Sequence, residues 1–293
     1  MDRYRKVIQE SHVPVEKEYI KKELEKISEK IPELRNSEVY TKIFNCIDLT
    51  TLNTTDSQES VTAFIQRVND FDNEYPQYPN VAAVCVFSNF SGLVKSTLEV
   101  TGVKTAVVAG GFPSGQTFTE VKVADVALAV SEGADEVDVV MNLGMLLDGN
   151  YEELCDELIE VKHAAKDAHM KVIIESGALK EPEKIRDAGI LAMYSDADFI
   201  KTSTGKVYEG ASPEAAYVMC QCIREYFEKT GRKVGFKAAG GVRSAEDALL
   251  YYAIVKEVLG EEWLNNTLFR IGASSLANAI LAKMLDEAEV KYF

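Results

Sequence analysis

Residues 133–175 read GADEVDVVMNLGMLLDGNYEELCDELIEVKHAAKDAHMKVIIE, and this stretch decides the architecture. Residues 136–142 have the texture of a strand. Side chains alternate along a strand, so Asp138, Val140 and Asn142 share one face and Val137, Val139 and Met141 the other. Residues 151–166 carry helical periodicity, and 171–175 returns to a short apolar run. Strand, helix and strand in succession make a crossover unit with parallel strands.

The same texture extends outward in both directions from about residue 44. The predicted strands are 44–50, 81–87, 103–109, 136–142, 171–175, 199–203, 234–239 and 268–272. Between them, stretches such as Val121, Ala124, Leu128 and Ser131 place one face at helical spacing. Pro182 and Pro213 fall where first helical turns are expected. Eight such units most economically close an α/β fold of the (β/α)8 TIM barrel type. An open doubly wound sheet is the alternative, but no G-x-G-x-x-G follows the first strand to favour it.

The chain has 293 residues, the usual size of one such barrel with a modest extension. Residues 1–40 lie outside the alternating pattern and are expected to form an N-terminal helical extension, with 15–30 an exposed helix. Residues 41–293 are expected to form the barrel. With 46% hydrophobic and 27% charged residues, the composition is that of a soluble globular protein. The net charge of −15 argues against nucleic acid or an anionic membrane as partner, but not against a small phosphorylated substrate. No apolar run approaches the ~18 residues that span a bilayer, and the first twenty residues lack an apolar signal core, so a cytoplasmic location is expected. Cys46, Cys85, Cys155, Cys220 and Cys222 form no C-x-x-C pair and share no metal-like spacing with His12, His163 and His169. Reduced thiols, no metal and no cofactor are the expectation. The assembly state stays open, a homo-oligomer included.

Active sites of these barrels lie at the C-terminal ends of the strands. Two predicted strands carry a lysine late in an apolar run: Lys201 in Asp198-Phe199-Ile200-Lys201-Thr202-Ser203-Thr204-Gly205-Lys206, and Lys237 before Gly240-Gly241. Either lysine alone is compatible with a side chain that reaches outward to solvent. Together they lie on neighbouring strands roughly 4.8 Å apart. Two inward ammonium groups about 5 Å apart repel by about 3.3 kcal/mol at an effective dielectric of about 20. With desolvation added, one lysine becomes substantially neutral close to pH ~8 and able to attack a carbonyl. Asp138 points into the barrel on the period-two reading, either as their structural ion partner or as a proton relay.

Three loops could hold a phosphate: Gly205-Lys206, Gly240-Gly241, and Gly272-Ala273-Ser274-Ser275, the last opening a helix. Each is also compatible with an ordinary tight turn or a serine cap. Residues 110–117 have the spacing of a nucleotide-binding loop, but Gln116 stands where the lysine belongs, so a turn into the next helix suffices.

These segments, with Asp48-Leu49-Thr50-Thr51-Leu52, Gly133 to Asp138 and Lys171 to Glu175, resemble the deoxyribose-phosphate aldolases from about residue 44 to 280. The resemblance implies reversible cleavage of 2-deoxy-D-ribose 5-phosphate to D-glyceraldehyde 3-phosphate and acetaldehyde. It implies Lys201 as the Schiff-base lysine, Lys237 as the neighbour that perturbs it and Asp138 as the proton-relay carboxylate. It further implies Asp48 on the substrate side at the end of strand one, Cys85 near the site, and Thr204, Gly205, Lys206, Gly240, Gly241, Gly272, Ser274 and Ser275 around the substrate hydroxyl and phosphate. The chain departs from many members in carrying Ser114 after Phe112-Pro113. It also ends Lys291-Tyr292-Phe293, where some members end in a tyrosine that reaches the site. Alternative readings are a Schiff-base aldolase acting on a ketose phosphate, and a non-covalent sugar-phosphate isomerase or binding protein.

Overall fold

In the computed structural model, which describes residues 3–293, eight parallel strands close into a barrel in chain order. They are β1 (Ile47–Thr50), β2 (Ala83–Phe87), β3 (Lys104–Ala109), β4 (Glu136–Val140), β5 (His169–Ile173), β6 (Phe199–Lys201), β7 (Gly235–Ala239) and β8 (Phe269–Ala273). β8 pairs with β1, so the sheet has no free edge and is not an open one. Outward-facing Val84, Val137, Val139, Val172, Ile200 and Phe236 are fully buried or nearly so, and they join the core shared with the surrounding helices. Serine caps start several of those helices. Ser57 and Ser244 form reciprocal capping boxes, and Ser212 accepts from the Ala215 amide just before Pro213.

Each predicted strand overlaps one observed strand, and the ends differ for local reasons. Phe44 and Asn45 belong to a helix, Ser37–Asn45, whose start is capped by the Asn36 side chain accepting from the Val39 amide. Asn142 leaves β4 and accepts from the Met145 amide, which opens helix Leu143–Asp148. Glu175 lies beyond β5 in a left-handed conformation with φ of 47°.

The N-terminal region departs further from expectation. Helix Lys17–Ser28 is exposed on one face only. Its Ile20, Leu24 and Ile27 are buried, and it packs on helices Pro213–Thr230 and Ala245–Leu259. These three residues recur every three or four positions, so one narrow stripe faces the barrel's outer layer while the lysines and glutamates face water. Helix Ser37–Asn45 runs across residue 40 and packs on helix Leu276–Leu285. Among the described residues no helix is long and apolar enough to cross a membrane, and all five cysteines are buried.

Candidate active site

The barrel interior is chemically lopsided. β2 and β3 contribute Ala83, Cys85, Ala106 and Val108, a small apolar patch. The remaining strands contribute Asp48, Glu136, Asp138, Lys171, Lys201, Lys237 and Arg270, none more than 3% exposed. Charges buried this deeply require partners. Lys201 and Lys237 are register partners on β6 and β7, and each places its Nζ 2.7 Å from the same oxygen, Asp138 Oδ2. The two amines therefore share one side of the sheet and lie at most twice that distance apart. Lys171, the register partner of Asp138, reaches Asp138 Oδ1 at 2.9 Å and Glu136 Oε2 at 2.6 Å. Asp48 accepts from Lys237 and, at 2.5 Å, from Arg270, which also grips Glu136 at 2.7 and 3.0 Å. The Phe199 ring lies against this cluster, with Lys171 Nζ 6.0 Å and Arg270 Cζ 5.8 Å from its centroid. Gly272 leaves room for the outstretched Lys237, since a Cβ there would sit 2.9 Å from Lys237 Cε.

Burial, more than repulsion, sets the titration of Lys201. Desolvation pushes its amine below the ordinary lysine range, Asp138 opposes, and Lys237 pushes it further down. This ordering corrects the expectation, which put repulsion first. Lys237 is desolvated too, but Asp138 and Asp48 together outweigh burial and hold it protonated, above the usual range. Burial would raise Asp138, yet Lys171, Lys201 and Lys237 keep it well below the usual carboxylate range. Their partners favour the ionised form of the three carboxylates and of Lys171, Lys237 and Arg270, and Lys201 is the group tilted toward neutrality.

Lys201 also opens onto a cavity of about 520 Å³. Its walls are Thr204, Gly205 and Lys206 after β6, Gly240 and Gly241 after β7, and Gly272, Ser274 and Ser275 around the end of β8. Glu175 fixes the first loop by accepting from the Thr204 amide at 3.1 Å and its hydroxyl at 2.6 Å. Gly240 has φ of 84°, and a Cβ there would meet the Gly210 backbone at 2.9 Å, so only glycine fits this turn. Ser275 precedes the ten-residue helix Leu276–Leu285 without its side chain capping that helix. Ser275 lines the cavity, and the N-terminus of the helix it precedes is an end where an anion is favoured.

Not every expected residue reaches this cavity. Asp48, Asp138 and Lys237 do not line it: all three are fully buried in the ion cluster, with Asp48 held by Lys237 and Arg270. Cys85 packs in the apolar patch, where burial pushes its thiol up. Tyr292 turns away, donating to the Arg67 carbonyl at 3.0 Å and packing on Phe71 and Tyr75, while Phe293 lines the cavity. The 110–117 run is a turn before helix Thr119–Ser131, with the Gly110 amide donating to Asp125 at 2.8 Å. The sequence reading missed Glu136, Lys171 and Arg270 in the cluster, and Thr51, Asn53 and Arg243 in the wall. A signal for the first three existed. Each is a charged residue within an otherwise apolar strand, and Glu136 shares the parity of Asp138.

Comparison with known proteins agrees with this geometry. The model of the DeoC/LacD family aldolases matches residues 42–280, which is the barrel. The deoxyribose-phosphate aldolase of Homo sapiens is 39% identical over 262 residues, covering 86% of this chain and 82% of the human protein. That of Mus musculus is 44% identical over 214 residues, covering 72% of this chain and 67% of the mouse protein. The solved deoxyribose phosphate aldolase from Aeropyrum pernix superposes with a TM-score of 0.66 at 24% identity, covering 87% of this chain and 96% of that one, a likeness that speaks for the fold alone.

Proposed function

The chain belongs to the DeoC/LacD aldolase family and is a carbon–carbon lyase, and we propose that it reversibly cleaves 2-deoxy-D-ribose 5-phosphate to D-glyceraldehyde 3-phosphate and acetaldehyde through a Schiff base on Lys201. The observation that carries this reading is the placement of Lys201. Its amine opens onto the cavity while sharing one Asp138 oxygen with Lys237. A buried amine depressed in this way is the nucleophile that imine chemistry requires.

The neutral Lys201 amine attacks the C1 aldehyde of the open-chain sugar, forming a C–N bond and a carbinolamine. Loss of water gives a protonated imine. The C3 hydroxyl gives up its proton, the C2–C3 bond breaks, and its electron pair moves into the imine to leave an enamine. Glyceraldehyde 3-phosphate departs, C2 takes up a proton, and hydrolysis releases acetaldehyde and the free lysine. Asp138 and Lys237, acting through a water, move the protons at the carbinolamine oxygen, the C3 hydroxyl and C2. The loops after β6, β7 and β8 hold the 5-phosphate, and that remote grip orients the reacting carbons.

Borohydride reduction in the presence of acetaldehyde, followed by mass mapping, tests the reading. A two-carbon adduct on Lys201 is expected, and Lys201→Leu should lose both the adduct and turnover. A variant that still turned over near the parent rate would refute the assignment. Dihydroxyacetone phosphate as the trapped donor in place of acetaldehyde would point to a ketose-phosphate aldolase instead.

A further inference from the structure

The charge cluster inside the barrel does not balance. Three carboxylates, Asp48, Glu136 and Asp138, face four basic groups, Lys171, Lys201, Lys237 and Arg270, and water screens none of them appreciably. An uncompensated buried cation is costly, so the favoured state has one of the four neutral.

The contacts select which one. Arg270 binds two carboxylates, and its guanidinium does not deprotonate in proteins. Lys237 binds Asp48 and Asp138, and Lys171 binds Glu136 and Asp138 and lies 3.7 Å from Asp48. Lys201 has Asp138 alone. The other groups near Lys201 leave the count unchanged. Cys85 is a thiol whose ionisation burial disfavours. Glu175 is buried as well, but its carboxylate is spent on the Thr204 amide and hydroxyl and makes no ion pair with Lys201 or the other cluster cations, so it stands outside the cluster. Lys206 and Arg243 sit at the exposed mouth, where Lys206 donates to the Leu52 carbonyl. Lys122 and Glu157 pair with each other at 2.6 Å between two helices of the outer layer.

We propose that Lys171 and Glu136, neither of which lines the cavity, are positioning residues for the reaction: they set the balance of buried cations and carboxylates that leaves Lys201 as the free amine. The inference rests on the Schiff-base reading above. It has a directional consequence that mere structural support does not share. Lys171→Met makes the count three against three, so Lys201 keeps its proton and the amine appears only at higher pH. Glu136→Gln makes the count four against two, and the amine appears at lower pH.

The test is the pH dependence of acetaldehyde trapping by borohydride on the full chain, alongside the pH profile of kcat/KM for sugar-phosphate cleavage. The midpoint of the acid limb is expected to move up by about one pH unit or more in Lys171→Met and down by a similar amount in Glu136→Gln. Both variants moving the same way, or neither moving while the adduct still forms, overturns the proposal and leaves these residues a purely structural role. Failure of the parent chain to give an adduct at any pH would instead sink the Schiff-base reading, and this inference with it. If Lys171→Met does not fold, the near-isosteric Glu136→Gln decides by the sign of its shift, because an amide oxygen in the Oε2 place still accepts from Lys171 and one Arg270 nitrogen, and only the second Arg270 bond is lost.

Discussion

Asp138 shows how a single side chain ties stability to chemistry. Its two oxygens serve three buried lysines, with Lys171 on Oδ1 and Lys201 and Lys237 on Oδ2. Asp138→Asn preserves the shape but removes the charge those lysines share. Breaking a buried ion network in this way costs about 3–5 kcal/mol. If Asp138 is the proton relay proposed above, its loss should slow turnover roughly 100-fold or more. Urea unfolding and steady-state kinetics check the two effects separately, and a variant with unchanged stability and rate would remove Asp138 from both roles. Residue identity at this site was partly legible in the sequence. A charge on the inward parity of an apolar strand has few reasons to be there, and that argument found Asp138, Lys201 and Lys237. Asp48 came from the resemblance alone, and parity would have given only its side of the sheet and not its height along the barrel axis. Height depends on strand tilt and stagger, which no single strand reveals. Asp48 is buried in the ion cluster with Asp138 and Lys237, while Thr50 and Thr51 line the cavity.

At the scale of elements, the loops after β6 and β7 are built against one another. Gly240 packs on the backbones of Gly205 and Gly210, and the Ala211 amide donates to the Gly240 carbonyl at 3.0 Å. Gly240→Ala forces a left-handed backbone on a residue with a Cβ, at a cost of roughly 1–2 kcal/mol, and drives the loops apart. If these loops hold the phosphate, KM for the sugar phosphate should rise about tenfold, the equivalent of ~1.4 kcal/mol. Acetaldehyde trapping on Lys201, which uses no phosphate, should be unaffected. An unchanged KM would move the phosphate site elsewhere in the cavity. The glycines themselves were readable as a loop signal, because successive glycines after an apolar strand mark a turn with special backbone angles. Strand ends were harder to place. Phe44 and Asn142 have strand-like neighbours, but the Asn36 and Asn142 side chains cap helices there, and the hydrogen bond that settles the boundary is local.

For the whole molecule, the barrel was legible because eight strand–helix units repeat along the chain. The docking of the N-terminal region was not. Helix Lys17–Ser28 carries three buried apolar residues among many charged ones, and its partner surface exists only once helices Pro213–Thr230 and Ala245–Leu259 are side by side. A narrow stripe of this kind looks the same in sequence whether it meets solvent or a neighbour. The fold gives it a clear consequence. Ile20 is 1% exposed and lies on the outer layer, remote in the architecture from the residues that line the cavity. Ile20→Ala should therefore cost about 2–4 kcal/mol of stability through the cavity it leaves, while kcat and the Lys201 adduct stay at parent values. Urea midpoints measured beside steady-state rates separate these effects. A midpoint that does not move would mean the helix adds no stability where it lies. A lowered kcat in a fully folded variant would mean that the extension reaches the chemistry through the helix layer.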